Sequence, residues 1–275
     1  MRSLQAGVKT LVDGECISAT QGEAVLGRVK GTVDLEAAGD ADIVVESIVE
    51  DAALKQDLFR RLEGVCPARA IVTSNTSGIP ATLLASALQR PERFAVTHFW
   101  NPPHLMPLVE VVRGEQTSQA TVDTLVGLLQ KAGKKPVVVL KDTPGQLGNR
   151  LFHALIREAI YIVQEGIATA EDVDTAIKNG FGRRSPVYGT LEHQDLVGLD
   201  LMFAIQSYMG KALCNATEPL KALQDKVAAG ELGLKAGRGF YDWRQRDAAE
   251  VIRRRDAFLV ERLRAEMAER RQTGN

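Results

Sequence analysis

Cysteine is scarce and isolated in this chain. Cys16, Cys66 and Cys214 are its three thiols, with no CxxC pair and no histidine at metal-ligand spacing. A disulfide scaffold and a zinc module are therefore set aside, and reduced thiols in a cytoplasmic protein without a metal are expected. An excess of one charge is lacking too. A formal net charge of -1 gives no reason to expect nucleic acid or an anionic membrane as a partner. No apolar run is long enough to cross a bilayer, and the N-terminus carries no signal-peptide segment, which points to a soluble protein. What remains, 45% hydrophobic and 25% charged residues, is an ordinary globular composition. The length suits one large domain or two modest ones.

The pattern along the chain is more informative. Residues 1–13 read as an amphipathic helix closed by Asp13-Gly14, followed by a short helix around 20–29. A short strand is expected near Val29–Leu35. Next comes the run ADIVVESIV (41–49), whose β-branched residues suit a strand buried on both faces of a parallel sheet. Alternation continues with helix 51–64, strand 70–74, helix 80–88, strands 93–98 and 107–113, helix 118–132 and strand 136–140. Strands alternating with helices predict an α/β fold built on a doubly wound sheet.

After Lys141 the strand signal stops. Thr143 and Pro144 resemble an N-cap and first helical residue, so a helix is expected over 144–166, with further helices at 170–179, 189–214 and 217–229. Helix 144–166 is apolar around much of its circumference, which suits packing on several sides, including a subunit interface. The expected organisation is an α/β domain over 1–141, a helical domain over 142–243 and a charged, solvated helix over 244–275.

Ser77, His98 and Glu110 fall at the ends of successive apolar runs, where side chains can converge on one pocket. A histidine, a carboxylate that orients it and a hydroxyl that holds a substrate oxygen form a set suited to proton transfer. Each also has a plainer role: a strand-end histidine is usually structural, and Ser77 suits a turn or helix cap. Glu110 lies inside an apolar strand, where a carboxylate needs a partner. His104 reads as a pocket-rim or structural residue, and His153 and His193 as structural. Arg183 and Arg184 are candidates for a substrate carboxylate or phosphate, although exposed arginines ordinarily meet neither.

In order, the segments SNTSG, THFWNPP, LVEVVRG, KDTPGQLGNR, DLVGLD and LKAGRGFYDW resemble the 3-hydroxyacyl-CoA dehydrogenase family from roughly residue 30 to residue 243. The resemblance implies a Rossmann-like sheet, NAD as cofactor, an acyl-CoA or related 3-hydroxy acid as substrate, and a homodimer formed through the helical domain. It places the catalytic histidine on His98, the glutamate that orients it on Glu110, the substrate-contacting serine on Ser77 and a catalytic asparagine on Asn149. Cofactor contacts fall on Glu50, Lys55, Ser77, Asn101 and Lys235. One departure is Gln146, where the family usually has phenylalanine.

Against this, no GxGxxG turn occurs anywhere in the chain, and no acidic residue follows one at the spacing that holds an adenine ribose. The sheet is therefore expected to be incomplete, with ADIVVESIV at a bare edge. Three explanations are open: Met1 is internal to a longer natural chain, which is favoured; the polypeptide is truncated; or the strand near Val29 pairs directly with residues 42–48. The alternative to a dehydrogenase is a non-catalytic binding or dimerisation protein with a dehydrogenase-like fold, or a truncated inactive fragment.

Overall fold

In the computed structural model, residues 1–273 are described; Gly274 and Asn275, the end of the expected last helix, lie outside the described residues. The chain divides into two compact units, residues 1–150 with 251 onward, and residues 151–250.

The first unit opens with α1 (Arg2–Asp13) and α2 (Ala19–Gly27). The Ser18 hydroxyl accepts from the Gln21 amide at 3.1 Å while the Gln21 side chain accepts from the Ser18 amide at 2.8 Å, a capping box that fixes where α2 begins. A five-stranded sheet follows: β1 (Ile43–Glu46), β2 (Ile71–Ser74), β3 (Phe94–Phe99), β4 (Leu108–Val112) and β5 (Lys135–Val139), lying side by side in that order. All pairings are parallel except β3 with β4. Between the strands run α3 (Ala52–Val65), α4 (Ala81–Ala85) and α5 (Gln119–Lys131).

The two-residue period of the strands assigns side chains to opposite faces. Val72, Phe94, Val96 and Val112 join Phe59 and Leu62 of α3 and Leu84 of α4 in one cluster. Ile71, Ala95, Val109 and Val111 join Val122, Leu125 and Leu129 of α5 in the other. The expected α/β class is thus observed as a layered sheet with helices on both faces. His98 and Glu110 share the parity of the first cluster and continue its face to the strand ends.

Four expectations are corrected. No strand forms over 29–35; that stretch lacks a sheet partner and leads into a short 3₁₀ turn, Leu35–Ala38. β1 pairs only with β2, so the sheet is not rearranged around the Val29 segment. Thr143 does not cap a helix, because Gly145 and Gln146 turn into positive φ (77° and 52°) and α6 starts at Gly148. The last helix, α12 (Ala248–Thr273), is not simply solvated. From Val251 it packs on the first unit, with Val260 against Gly14, Glu266 paired with Lys135 at 3.2 Å and the Arg270 guanidinium donating to the Gly133 carbonyl at 2.9 Å.

The second unit is helical: the remainder of α6 (Gly148–Gln164), then α7 (Ala170–Asn179), α8 (Phe181–Arg184), α9 (Thr190–Val197), α10 (Leu199–Ala212) and α11 (Lys221–Ala228). The expected single helix over 189–214 is broken at Gly198, whose φ of 109° only glycine adopts readily.

Candidate active site

The site is built first by strand register. In the antiparallel β3–β4 pair His98 stands directly opposite Glu110, so the two side chains emerge together on one face. His98 Nδ1 lies 2.7 Å from Glu110 Oε2. Glu110 has no exposed surface and His98 keeps 9% of its own. A buried carboxylate is tolerated only when its lone pairs are met, and here all four are. Oε2 accepts from His98 and from the Trp100 indole N–H at 2.9 Å; Oε1 accepts from the amides of Leu147 and Gly148 at 2.9 and 2.8 Å. Burial pushes the Glu110 carboxyl up, but the bonds from His98, Gly148, Trp100 and Leu147 outweigh it and hold the group down at about 2. Glu110 is therefore anionic at neutral pH. An anionic carboxylate only accepts, so His98 Nδ1 carries the hydrogen of this bond and Nε2 is the ring nitrogen left outside it.

A second polar network lies at the carboxyl ends of β1 and β2. Glu46, buried at the end of β1, accepts from Lys55 Nζ at 2.7 Å, the Ile48 amide at 2.5 Å and the Ser74 hydroxyl at 2.6 Å. Lys55 is almost wholly enclosed and also lies 3.4 Å from Glu50 Oε2. Glu50 in turn accepts from the Thr76 hydroxyl and, at 3.2 Å, from the Ser77 amide. Desolvation raises the Glu50 carboxyl, and the Thr76, Lys55 and Ser77 contacts more than reverse it.

The structure thus places the expected residues unequally. His98 and Glu110 are in contact. Ser77 is exposed on the loop after β2, and the Asn149 side-chain amide reaches its carbonyl at 3.4 Å. Glu50 is exposed beside Ser77, whereas Lys55 points inward, with its ammonium engaged by two carboxylates. Asn101 is exposed just beyond β3, and Lys235 lies in the second unit on the turn Leu234–Ala236. Gln146 is buried, donates to the Thr76 carbonyl at 3.1 Å and leaves its Oε1 without a partner. Sequence reasoning missed Trp100 and the Leu147 and Gly148 amides. The signal for Trp100 was present, since it follows His98 by two residues and so shares its face.

This arrangement stands outside the carboxyl ends of parallel strands, where open α/β sheets bind ligands. Residues 1–143 match the family model described as 3-hydroxyacyl-CoA dehydrogenase, NAD binding domain, and residues 145–243 match the C-terminal domain of the same enzymes. The chain belongs to the 3-hydroxyacyl-CoA dehydrogenase family. As a member of this NAD-dependent family of oxidoreductases it is 35% identical over 265 residues to a 5-formyl-3-hydroxy-2-methylpyridine 4-carboxylate 5-dehydrogenase of Mesorhizobium japonicum, covering 95% of this chain and 85% of that one. A probable 3-hydroxybutyryl-CoA dehydrogenase of Bacillus subtilis is 40% identical over 228 residues, 82% of this chain and 78% of that one.

Solved structures agree. The crystal structure of a 5-formyl-3-hydroxy-2-methylpyridine 4-carboxylic acid 5-dehydrogenase, described as an NAD+ dependent dismutase, superposes with a TM-score of 0.83 at 35% identity, covering 88% of this chain and 78% of that one. That of (S)-3-hydroxybutyryl-CoA dehydrogenase from Ralstonia eutropha gives 0.71 at 34% identity, over 86% and 83%. Among the described residues, no helix of this family member is long and apolar enough to cross a membrane.

Proposed function

We propose that this dehydrogenase oxidises the 3-hydroxyl of a 3-hydroxyacyl-CoA or related 3-hydroxy acid, with His98 and Glu110 as its proton-handling pair. The observation that carries the reading is the 2.7 Å His98–Glu110 contact at the ligand-binding edge of the sheet. Nε2 of neutral His98 accepts the substrate hydroxyl proton as hydride leaves the same carbon. Bound NAD supplies the hydride acceptor. The imidazolium that forms stays bonded to anionic Glu110, which stabilises the charge and fixes the ring. In the reverse direction protonated His98 donates to the alkoxide. Ser77 and Asn149, joined through the loop after β2, hold the reacting oxygen and set its approach.

The residues present suit the nicotinamide end of NAD: Glu50 and Ser77 are exposed neighbours at the ends of β1 and β2, and Asn101 lies just past β3. Lys55 serves the cofactor through Glu50, whose carboxylate it anchors. The glycine-rich pyrophosphate turn is not among these 275 residues. The helical unit carries substrate and dimer contacts, and the free, buried thiols suit a reducing cytoplasm.

A second reading concerns the substrate alone. Likeness to the pyridine carboxylate dehydrogenase over 95% of this chain, with polar Gln146 beside the site, favours a compact polar acid in place of an acyl chain. Assays of NADH formation from 3-hydroxybutyryl-CoA and from a formyl-bearing hydroxypyridine carboxylate, whose formyl carbon is the hydride source, separate the two. In either assay His98→Gln is expected to lower turnover by about 10²–10⁴-fold. Near-normal turnover of that variant rules out His98 as the base.

A further inference from the structure

Glu110 has four lone-pair positions and four donors. Two are backbone amides, from Leu147 and Gly148, and one is His98 itself. The fourth is the indole N–H of Trp100, bound at 2.9 Å to Oε2, the oxygen that holds His98. The rings of His98 and Trp100 lie 6.0 Å apart at 53°. The benzo edge of the indole also fills the space beside Gly148: a Cβ at that position would stand 2.4 Å from Trp100 Cζ2. Gly148 therefore does two things. Its amide grips one oxygen of Glu110, and its missing side chain lets the indole reach the other.

We propose that Trp100 is a positioning residue of the reaction, its indole N–H sharing Glu110 Oε2 with His98 and so fixing both the carboxylate plane and the strength of its pull on the imidazole. The inference rests on His98 being the base. An anion that divides its charge among several donors attracts each of them less. Without the indole N–H, more of that charge falls on His98, and the imidazolium persists to higher pH. Around Glu110, β3 brings His98, the residue after it brings Trp100, and the start of α6 brings the Leu147 and Gly148 amides; of these donors the His98 imidazole alone is ionisable. A role in filling space alone predicts none of this, because phenylalanine fills most of the same volume.

Trp100→Phe, which keeps a ring and deletes the donor, separates the two roles. The expected result is a kcat lower by roughly tenfold, the scale of one hydrogen bond to a charged group, with KM changed by less than about threefold. In the direction of alcohol oxidation, the acidic limb of kcat/KM against pH is expected to move upward by several tenths of a pH unit to about one. A profile superimposable on the wild type, with only the melting temperature lowered, overturns the proposal.

A measurement on the unaltered chain covers the case in which the variant fails to fold. The sequence contains two tryptophans, Trp100 and Trp243, so a ¹⁵N-labelled sample gives two indole signals. The Trp100 signal is expected to shift with pH across the range in which the acidic limb falls, and to lose that shift in His98→Gln. If neither indole signal moves over that range, Trp100 does not sense His98 and the proposal fails. A fully active His98→Gln enzyme instead defeats the reading of the base, which distinguishes the two failures.

Discussion

In the first unit Phe59, Phe94, Leu84, Val96 and Val109 retain no accessible surface, and the sheet is sealed by apolar clusters on both faces. In the second unit Cys214 is the one buried residue among 151–250, while Val187, Leu191 and Phe203 keep 82%, 82% and 77% of their surfaces exposed. Both units are rich in hydrophobic residues, so composition does not explain the contrast. The first unit has a sheet whose two faces each meet helices of the same unit. The helices of the second present apolar side chains for which that unit provides no cover. Exposed apolar side chains that gather into one patch ordinarily mark a place of association. His98 and Glu110 thus sit in a unit with a sealed core of its own, whereas the helical unit leaves its apolar side chains open.

The sharpest way to break that contrast is to cut a large side chain from each unit. Phe94 is fully enclosed and meets Phe59 edge to face, with ring centroids 5.3 Å apart. Phe94→Ala is expected to cost about 3–5 kcal/mol in urea denaturation, the range for emptying a buried aromatic site. Phe203→Ala, measured at concentrations where the chain is monomeric, is expected to change stability by less than about 0.5 kcal/mol. Equal costs would mean that the second unit has a core of its own.

A smaller effect distinguishes two carboxylates that are held equally low. Glu110 in the first unit and Asp242 in the second are both depressed to about 2, Glu110 by its four bonds against the opposing cost of burial and Asp242 chiefly by Arg244. A carboxyl whose folded value lies below its unfolded one stabilises fully above the unfolded value. That contribution is lost as pH falls toward the folded value. For enclosed Glu110 this removes roughly 3 kcal/mol between about pH 4.5 and pH 2, so acid denaturation curves should steepen there. Glu110→Gln should flatten that slope and Asp242→Asn should leave it nearly unchanged, since an exposed pair is screened by solvent. Identical slopes in all three proteins would show that Glu110 is not held by its native contacts.

How much of this was legible in the sequence follows the same division. The β-branched runs around Val44, Val72, Val96 and Val111 marked strands because each had a neighbour to pair with, and His98 could be read off the end of one and Glu110 off the middle of the next. The stretch 29–35 carries Val29 and Val33 but finds no ladder, so propensity alone did not make it a strand. The Thr143–Pro144 start signal was overridden by tertiary need. Turning Gly145 and Gln146 into positive φ aims the Leu147 and Gly148 amides at Glu110, and no local rule anticipates that demand. Trp100 shares the parity of His98 along the chain, but its donor matters only once the β3–β4 register sets Glu110 beside it.

The least costly substitution for the monomer tests the other half of the contrast. Phe203 lies on α10 one turn from Leu199, with Leu191 and Leu196 on the preceding helix, and all four are exposed. If these side chains are the contact between two copies of the chain, an isologous pairing repeats each of them across the interface. A charge at position 203 would then be buried twice without a partner. Phe203→Asp is expected to turn a dimer into a monomer by sedimentation or light scattering, while the denaturation midpoint of the monomer stays within about 0.5 kcal/mol of wild type. Should the variant remain dimeric, the copies meet through some other surface. Should it lose stability as a monomer, Phe203 is packed within its own unit, and the distinction drawn between the two units is smaller than their exposed surfaces indicate.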